Sequence, residues 1–285
     1  MRRRWRSLGV LALAIAGLAT LDLWLASCGW AGCPSRAEIR SFRPPEGGRV
    51  VDREGFLIGR LAWVRRLNVP LEQVPAHVRQ AFVAVEDRRF YDHRGLDWRA
   101  LGRAFARNTA ALGVREGFST ITMQVARDTF ANRLFPERTL RRKLMELRMA
   151  RLLERDLTKD QILEIYLNVI YLGNGVYGVE AASRDLFGKS VASVSLAEAA
   201  MLAALPKGPS AYTPRRDVER ARRRRDLVLS RMAREGYISA DRAAAAARQP
   251  VRVAAEEWRP ARADDSCAID AVRAIVDPVL RGRSP

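Results

Sequence analysis

Two carboxylates and a row of cations are the residues whose types and spacing could do chemistry. Glu86 lies in V-A-V-E-D-R-R-F-Y-D-H-R-G-L-D, one helical turn beyond Phe82. It sits at the edge of an apolar stripe formed by Val78, Ala81, Phe82 and Val85 at positions i, i+3, i+4 and i+7. A carboxylate half-buried against apolar neighbours can take a proton near neutral pH, which is the work of a general base. Glu146 follows 60 residues later, and Arg138, Arg142 and Glu146 recur at every fourth position with Lys143 alongside. That spacing places them on one helical stripe, a row of cations ending in a carboxylate that suits a multiply charged anion such as a diphosphate. Ser119, Thr120 and Thr122 add hydroxyls that can bind phosphate or cap the helix after them. Plainer roles compete: a Glu86–Arg89 salt bridge, simple N-capping, and a solvated Arg142–Glu146 pair worth about 0.2–0.5 kcal/mol.

These side chains need helices to position them. The stripe ending at Glu86 predicts a helix from Pro75 to about Arg89, closed by a turn-prone segment containing Phe90, His93 and Gly95. A second helix is expected over Trp98 to about Leu112, and a long one over about Glu137 to Glu154. Thr158-Lys-Asp-Gln161 reads as a capping box opening the helix I-L-E-I-Y-L-N. Glycines 173, 175 and 178 punctuate a turn before a small-residue helix, and Leu196 to Leu205 reads as an apolar core helix. Arg215 to Arg234 is a basic helix whose Arg222–Arg225 run reads as a solvated face; Gly236 breaks it, and Ala240 to Arg248 is short and Ala-rich. Near the front, Arg49 to Arg60 suits a small hairpin, and residues 34–48, with Pro-Pro and Gly-Gly, are linker-like.

The formal net charge of +18 in 285 residues suggests an anionic partner: nucleic acid, phosphate-bearing substrate or acidic lipid. Aromatic residues do not interleave the basic runs as a nucleic-acid surface would require. Three cysteines, Cys28, Cys33 and Cys267, show no metal-ligand spacing with His77 and His93, which argues against zinc. The chain opens M-R-R-R-W-R, and Leu8 to Ala26 follows with one charge, Asp22. Nineteen helical residues span about 28 Å, one bilayer core, and the basic flank would stay cytoplasmic. Leu25-Ala26-Ser27-Cys28 resembles a lipobox, so a lipidated Cys28 competes with a retained span. Either tether exports the remainder, where Cys28 and Cys33 could pair.

Five runs, in order, resemble the signatures of the peptidoglycan glycosyltransferases, glycosyltransferase family 51. The first is E-D-R-R-F-Y-D-H-R-G-L-D. The second, E-G-F-S-T-I-T-M-Q, is similar to Gly-Gly-Ser-Thr-Ile-Thr-Gln-Gln, with Phe118 in place of the second Gly and Met123 in place of the first Gln. The third is R-R-K-L-M-E; the fourth spans Tyr166, Asn168, Gly173, Tyr177 and Gly178; the fifth covers residues 196–214. The resemblance covers residues 49–240. No Ser-x-x-Lys run occurs, so no penicillin-binding transpeptidase motif is visible.

The resemblance implies a mainly α, lysozyme-like glycosyltransferase domain over 49–245, with one N-terminal transmembrane helix. Residues 1–27 would be the cytoplasmic flank and anchor, 28–48 a linker and 246–285 a tail. It implies polymerisation of lipid II into β-1,4-linked glycan with inversion, at the outer face of the inner membrane. Glu86 would be the base and Glu146 the second catalytic carboxylate. Asp87, Phe90, His93, Ser119, Thr120, Gln124, Arg127, Arg138, Arg142, Lys143, Asn168 and Tyr177 would contact substrate. A divalent ion, Mg²⁺ or Mn²⁺, is implied, and Glu146 would orient the cations or hold that metal near the departing diphosphate. Partners would be lipid II, the growing strand, the membrane and cell-wall synthesis proteins, and not nucleic acid. Leu112, Val114, Phe118 and Leu134 among arginines suit a flap dipping into headgroups. A lysozyme-like hydrolase needs a protonated acid and no phosphate cations. A scaffold that has lost turnover is the other alternative, raised by Phe118.

Overall fold

The computed structural model describes residues 16–17, 20, 33–46, 48–51, 53–54, 57–61, 65–110, 117–130 and 140–255. The expected anchor over Leu8–Ala26 falls almost wholly outside these residues, as do Cys28, Cys267, Arg138 and the flap positions Leu112, Val114 and Leu134. Among the described residues no helix is long and apolar enough to cross a membrane. Cys33 is disulfide-bonded, and the expected pairing with Cys28 falls outside the described residues. Helices dominate, and the chain divides into two compact units interleaved along the sequence.

The first unit comprises Met1–Phe42 and Tyr91–Lys159. Its described helices are Arg36–Ser41, Trp98–Ala110, Ile121–Thr129 and Leu140–Asp156. Leu96, Met123, Leu147 and Ala150 form a buried cluster, with Leu101 and Phe118 packed on it. Gly95 permits a close approach: its φ is +86°, and a Cβ there would lie 3.1 Å from the backbone of Ala150. The stretch read as linker carries the Arg36–Ser41 helix instead. Ser35 and Glu38 form a capping box, Ile39 is buried, and Arg36 Nε lies 3.3 Å from Asp156. The Ser-x-x-Glu signal was present in the sequence, masked by the surrounding prolines and glycines.

The second unit comprises Arg43–Phe90 and Asp160–Pro285. Gly48–Val51 and Leu57–Leu61 pair antiparallel as the expected hairpin. In a second small sheet, Val176–Tyr177 is the middle strand, parallel to Arg65–Arg66 and antiparallel to Tyr171–Gly173. Helices Ala76–Glu86, Leu196–Ala204 and Val218–Arg234 pack together, burying Phe82, Met201, Leu202, Val228 and Met232. Phe82 meets Tyr166 of the Lys159–Val169 helix edge-on, with centroids 6.0 Å apart. Burying each such ring contributes about 1.5–3 kcal/mol. Ser195 with Glu198 caps the Leu196 helix as a capping box, and Asp217 caps the Val218 helix.

Three boundaries differ from expectation. The Ala76 helix ends at Glu86 rather than Arg89, because Asp87 adopts φ −155° and ψ 74° and leaves the helical path. The Leu140 helix runs on to Asp156. Residues 246–255, read as part of the tail, stay tied to the unit: Arg225 donates to the carbonyls of Ala247 and Gln249, and Ala254 N donates to Leu186 O.

Candidate active site

The candidate residues divide between the two units. In the first unit the Leu140 helix carries Arg142, Lys143 and Glu146 across little more than one turn. Glu146 is 1% exposed. Lys143 Nζ donates to Glu146 Oε2 at 2.9 Å and to Ser119 Oγ at 2.7 Å. Arg142 Nε faces Glu146 Oε1 at 3.3 Å, an ion-pair distance. Both cations keep about a quarter of their side chains exposed, 24% and 27%, so they can reach a ligand while Glu146 orients them from beneath. The carboxylate thus holds two positive charges close together, a cost that a polyanionic ligand would relieve.

Neighbouring groups sharpen that field. Arg127 Nε bonds Asp128 Oδ1 at 3.0 Å. The Asp128 side chain is 24% exposed, and burial pushes its pKa up. Arg127 opposes that shift and the Glu146 charge adds to it. Gln124 and His93 are buried in the same unit. The Thr120 hydroxyl caps the Ile121 helix, accepting from Met123 N, and donates to Gly95 O at 2.7 Å. Thr120 is 2% exposed, and both of these bonds serve the framework. Thr122, also buried, donates to Glu154.

In the second unit Glu86 is the last residue of its helix and half-buried, as its place at the stripe's edge predicted. Arg231 donates to Val85 O at 2.9 Å, fixing the end of the helix, and Arg88 pairs with Glu235 at 3.6 Å. Arg224 stands within electrostatic reach of Glu86 and lies over the Tyr212 ring, 5.6 Å from its centroid. Burial lowers the Arg224 pKa, and Arg231 adds to that; Glu86 and Tyr212 pull it back up. Sequence reasoning missed Arg224 by assigning its whole run to solvent. The run is mixed: Arg222 and Arg223 are exposed, Arg224 is half-buried, and Arg225 is 1% exposed. The signal available was the spacing of Ala221, Arg225 and Val228, four residues and then three, which puts Arg225 on the apolar face.

Asp87 and Phe90 are buried in the turn after Glu86, where Phe90 N donates to Asp87 O. Asn168 is bonded within the fold. Its side chain accepts from Val69 N and donates to the carbonyls of Val69 and Glu164, so all of its polar atoms serve the fold. Tyr177 packs against Tyr171 with centroids 5.0 Å apart and under Arg66 at 5.2 Å, which also ties it to the framework. Gly178 explains why that turn needs glycine: φ is +80°, and a Cβ would come 2.8 Å from Asn168 O.

Among the described residues no group of three or more His, Cys, Asp or Glu could hold a metal ion. Both Glu146 oxygens face cations. Glu146 is therefore already compensated by Arg142 and Lys143.

The family described as Transglycosylase matches residues 54–233. Penicillin-binding protein 1A of Aquifex aeolicus (strain VF5) is 43% identical over 249 residues, covering 87% of this chain and 34% of that protein. Penicillin-binding protein 1F of Bacillus subtilis (strain 168) is 44% identical over 198 residues, covering 70% of this chain and 27% of that protein. A crystal structure of penicillin-binding protein 1A from Haemophilus influenzae, 28% identical, covers 80% of this chain and 23% of that one with a TM-score of 0.44, too low to argue fold. The chain thus spans about a third or less of the length of these relatives. With 180 residues matched and the five motifs in order, the chain belongs to the transglycosylase family, the peptidoglycan glycosyltransferases of family 51.

Proposed function

We propose that this chain polymerises lipid II into β-1,4-linked glycan at a membrane surface, tethered by its N-terminal segment. The observation that carries the reading is the cluster of Lys143, Arg142 and Ser119 around buried Glu146. A leaving diphosphate is already a good leaving group and needs charge neutralisation more than a proton. Two partly exposed cations held side by side supply that, and the Arg fork suits phosphate oxygens. Glu86 acts as the base. It takes the proton from the acceptor sugar's 4-hydroxyl as that oxygen bonds to the anomeric carbon of the growing chain. The bond from that carbon to the diphosphate breaks, undecaprenyl diphosphate departs, and attack from the opposite face turns α into β. A lysozyme-like hydrolase has no use for paired phosphate cations.

The test uses the full chain with lipid II, products resolved by length. Polymer is expected, with Arg142→Ala slower than Arg142→Lys and both slower than the parent. Reducing ends released from preformed glycan, with no polymer from lipid II, would overturn the reading in favour of hydrolysis.

A further inference from the structure

Phe118 departs from the second motif, where glycine is usual, and its surroundings give it a use. The backbone there does not need glycine: among the described residues, Asn174 is the non-glycine residue with positive φ. One side of the ring packs on the cluster of Leu96, Met123, Leu147 and Ala150. The Lys143 ammonium lies 5.1 Å from the ring centroid. The same nitrogen donates to Ser119 and to Glu146. Lys143 therefore has a carboxylate, a hydroxyl and a π-face around one flexible four-carbon stem.

These partners differ in what they do when an anion arrives. The bonds from Lys143 to Ser119 and Glu146 are hydrogen bonds that a phosphate oxygen can compete for. The ring offers no acceptor lone pair to exchange, and its position is set by apolar packing rather than by the ligand. It attracts the cation through its quadrupole and confines the stem. A compact, strongly hydrated ammonium on a mobile stem gains most from such confinement.

We infer that Phe118 is a positioning residue, a fixed aromatic platform that holds the Lys143 ammonium in place for the phosphates of the donor substrate. This rests on the reading of Lys143 as a diphosphate contact. The rival is that Phe118 merely fills the cluster, in which case any apolar side chain of similar size would serve.

The two are separated with full-chain variants assayed on lipid II, each with a melting temperature. Phe118→Leu keeps apolar volume and removes the π-face; Phe118→Trp and Phe118→Tyr keep the face. The inference expects kcat/KM for Phe118→Leu to fall about 3- to 10-fold with little change in melting. Trp and Tyr should stay within about 2-fold of the parent. The Leu change should also have no further effect when Lys143 is already Ala, because the platform then has nothing to hold. Equal turnover by Phe118→Leu and the parent, with Lys143→Ala slow, overturns the platform alone. So does an undiminished Leu effect in the Lys143→Ala background. Parent-like turnover by Lys143→Ala overturns the reading of the diphosphate site and the platform with it.

Discussion

Glu86 ends its helix half-exposed, with Arg224 brought near it from another helix of the same unit, whereas Glu146 lies mid-helix at 1% exposure between Arg142 and Lys143 of its own helix. The same functional group is built into opposite settings. A carboxylate at a helix end, partly open to water and with a cation brought near from another helix, sits at the margin of the packing around it. A buried carboxylate in contact with two cations cannot lose its charge without leaving both uncompensated. The first setting suits proton transfer and the second suits fixing the position of other charges. Their backbone supports match: Arg231 pins the end of the Glu86 helix, while Gly95 lets neighbouring chain lie against the Glu146 helix at Ala150.

The largest expected difference comes from neutralising each carboxylate. Glu86→Gln should slow polymerisation at least about 100-fold with little change in melting temperature, since shape is kept and proton acceptance is lost. Near-parental turnover by that variant would remove Glu86 from the mechanism and collapse the contrast.

Glu146→Gln should slow turnover about 10- to 100-fold by releasing Arg142 and Lys143 from position. Unlike the Glu86 change it should also lower stability, by about 1–3 kcal/mol, because the buried partner of two cations is lost. Denaturant melts decide this: a slow variant with unchanged stability would make Glu146 a reacting group rather than a support.

A smaller effect is expected from Arg224→Met, which keeps the stem over Tyr212 and removes the positive charge near Glu86. A few-fold loss in rate should accompany a shift of the acid limb of the rate profile to higher pH, since losing an opposite charge favours the protonated carboxyl. An unmoved profile would assign Arg224 to packing alone.

The smallest expected effects concern stability against pH, where the units contain groups shifted in opposite directions. Burial works to raise the Glu198 pKa, but hydrogen bonds from Ser195 and Lys189 outweigh it and the net shift is down from 4.5. Its stabilisation is therefore present above that ordinary value and lost as pH falls through the lowered folded one. Asp128, raised from 3.8 by burial, does the reverse: its ionisation costs stability as pH rises through the raised folded value. Melts from about pH 3 to about pH 7 should show Glu198→Gln flattening the acid limb and Asp128→Asn gaining relative stability toward neutrality. Parallel curves for both variants would deny the opposition.

The sequence by itself determined the family, through five motifs in order, and most of the helices, because an apolar stripe is a local pattern that local physics obeys. It placed Glu86 at the edge of its stripe and Glu146 one turn from Arg142 correctly, since both follow from helical spacing alone. Tertiary structure decided what each motif residue faces. Asn168 bonds Val69, 99 residues away, and Thr120 bonds Gly95, partners that no local pattern names. Arg224 and Arg225, adjacent in a run of four arginines, divide between the surroundings of Glu86 and the carbonyls of Ala247 and Gln249. Phe118 became a platform only once the Leu140 helix brought Lys143 above it. Periodicity says which face of a helix a side chain occupies. What covers that face depends on chain brought from far away, and no local pattern encodes it.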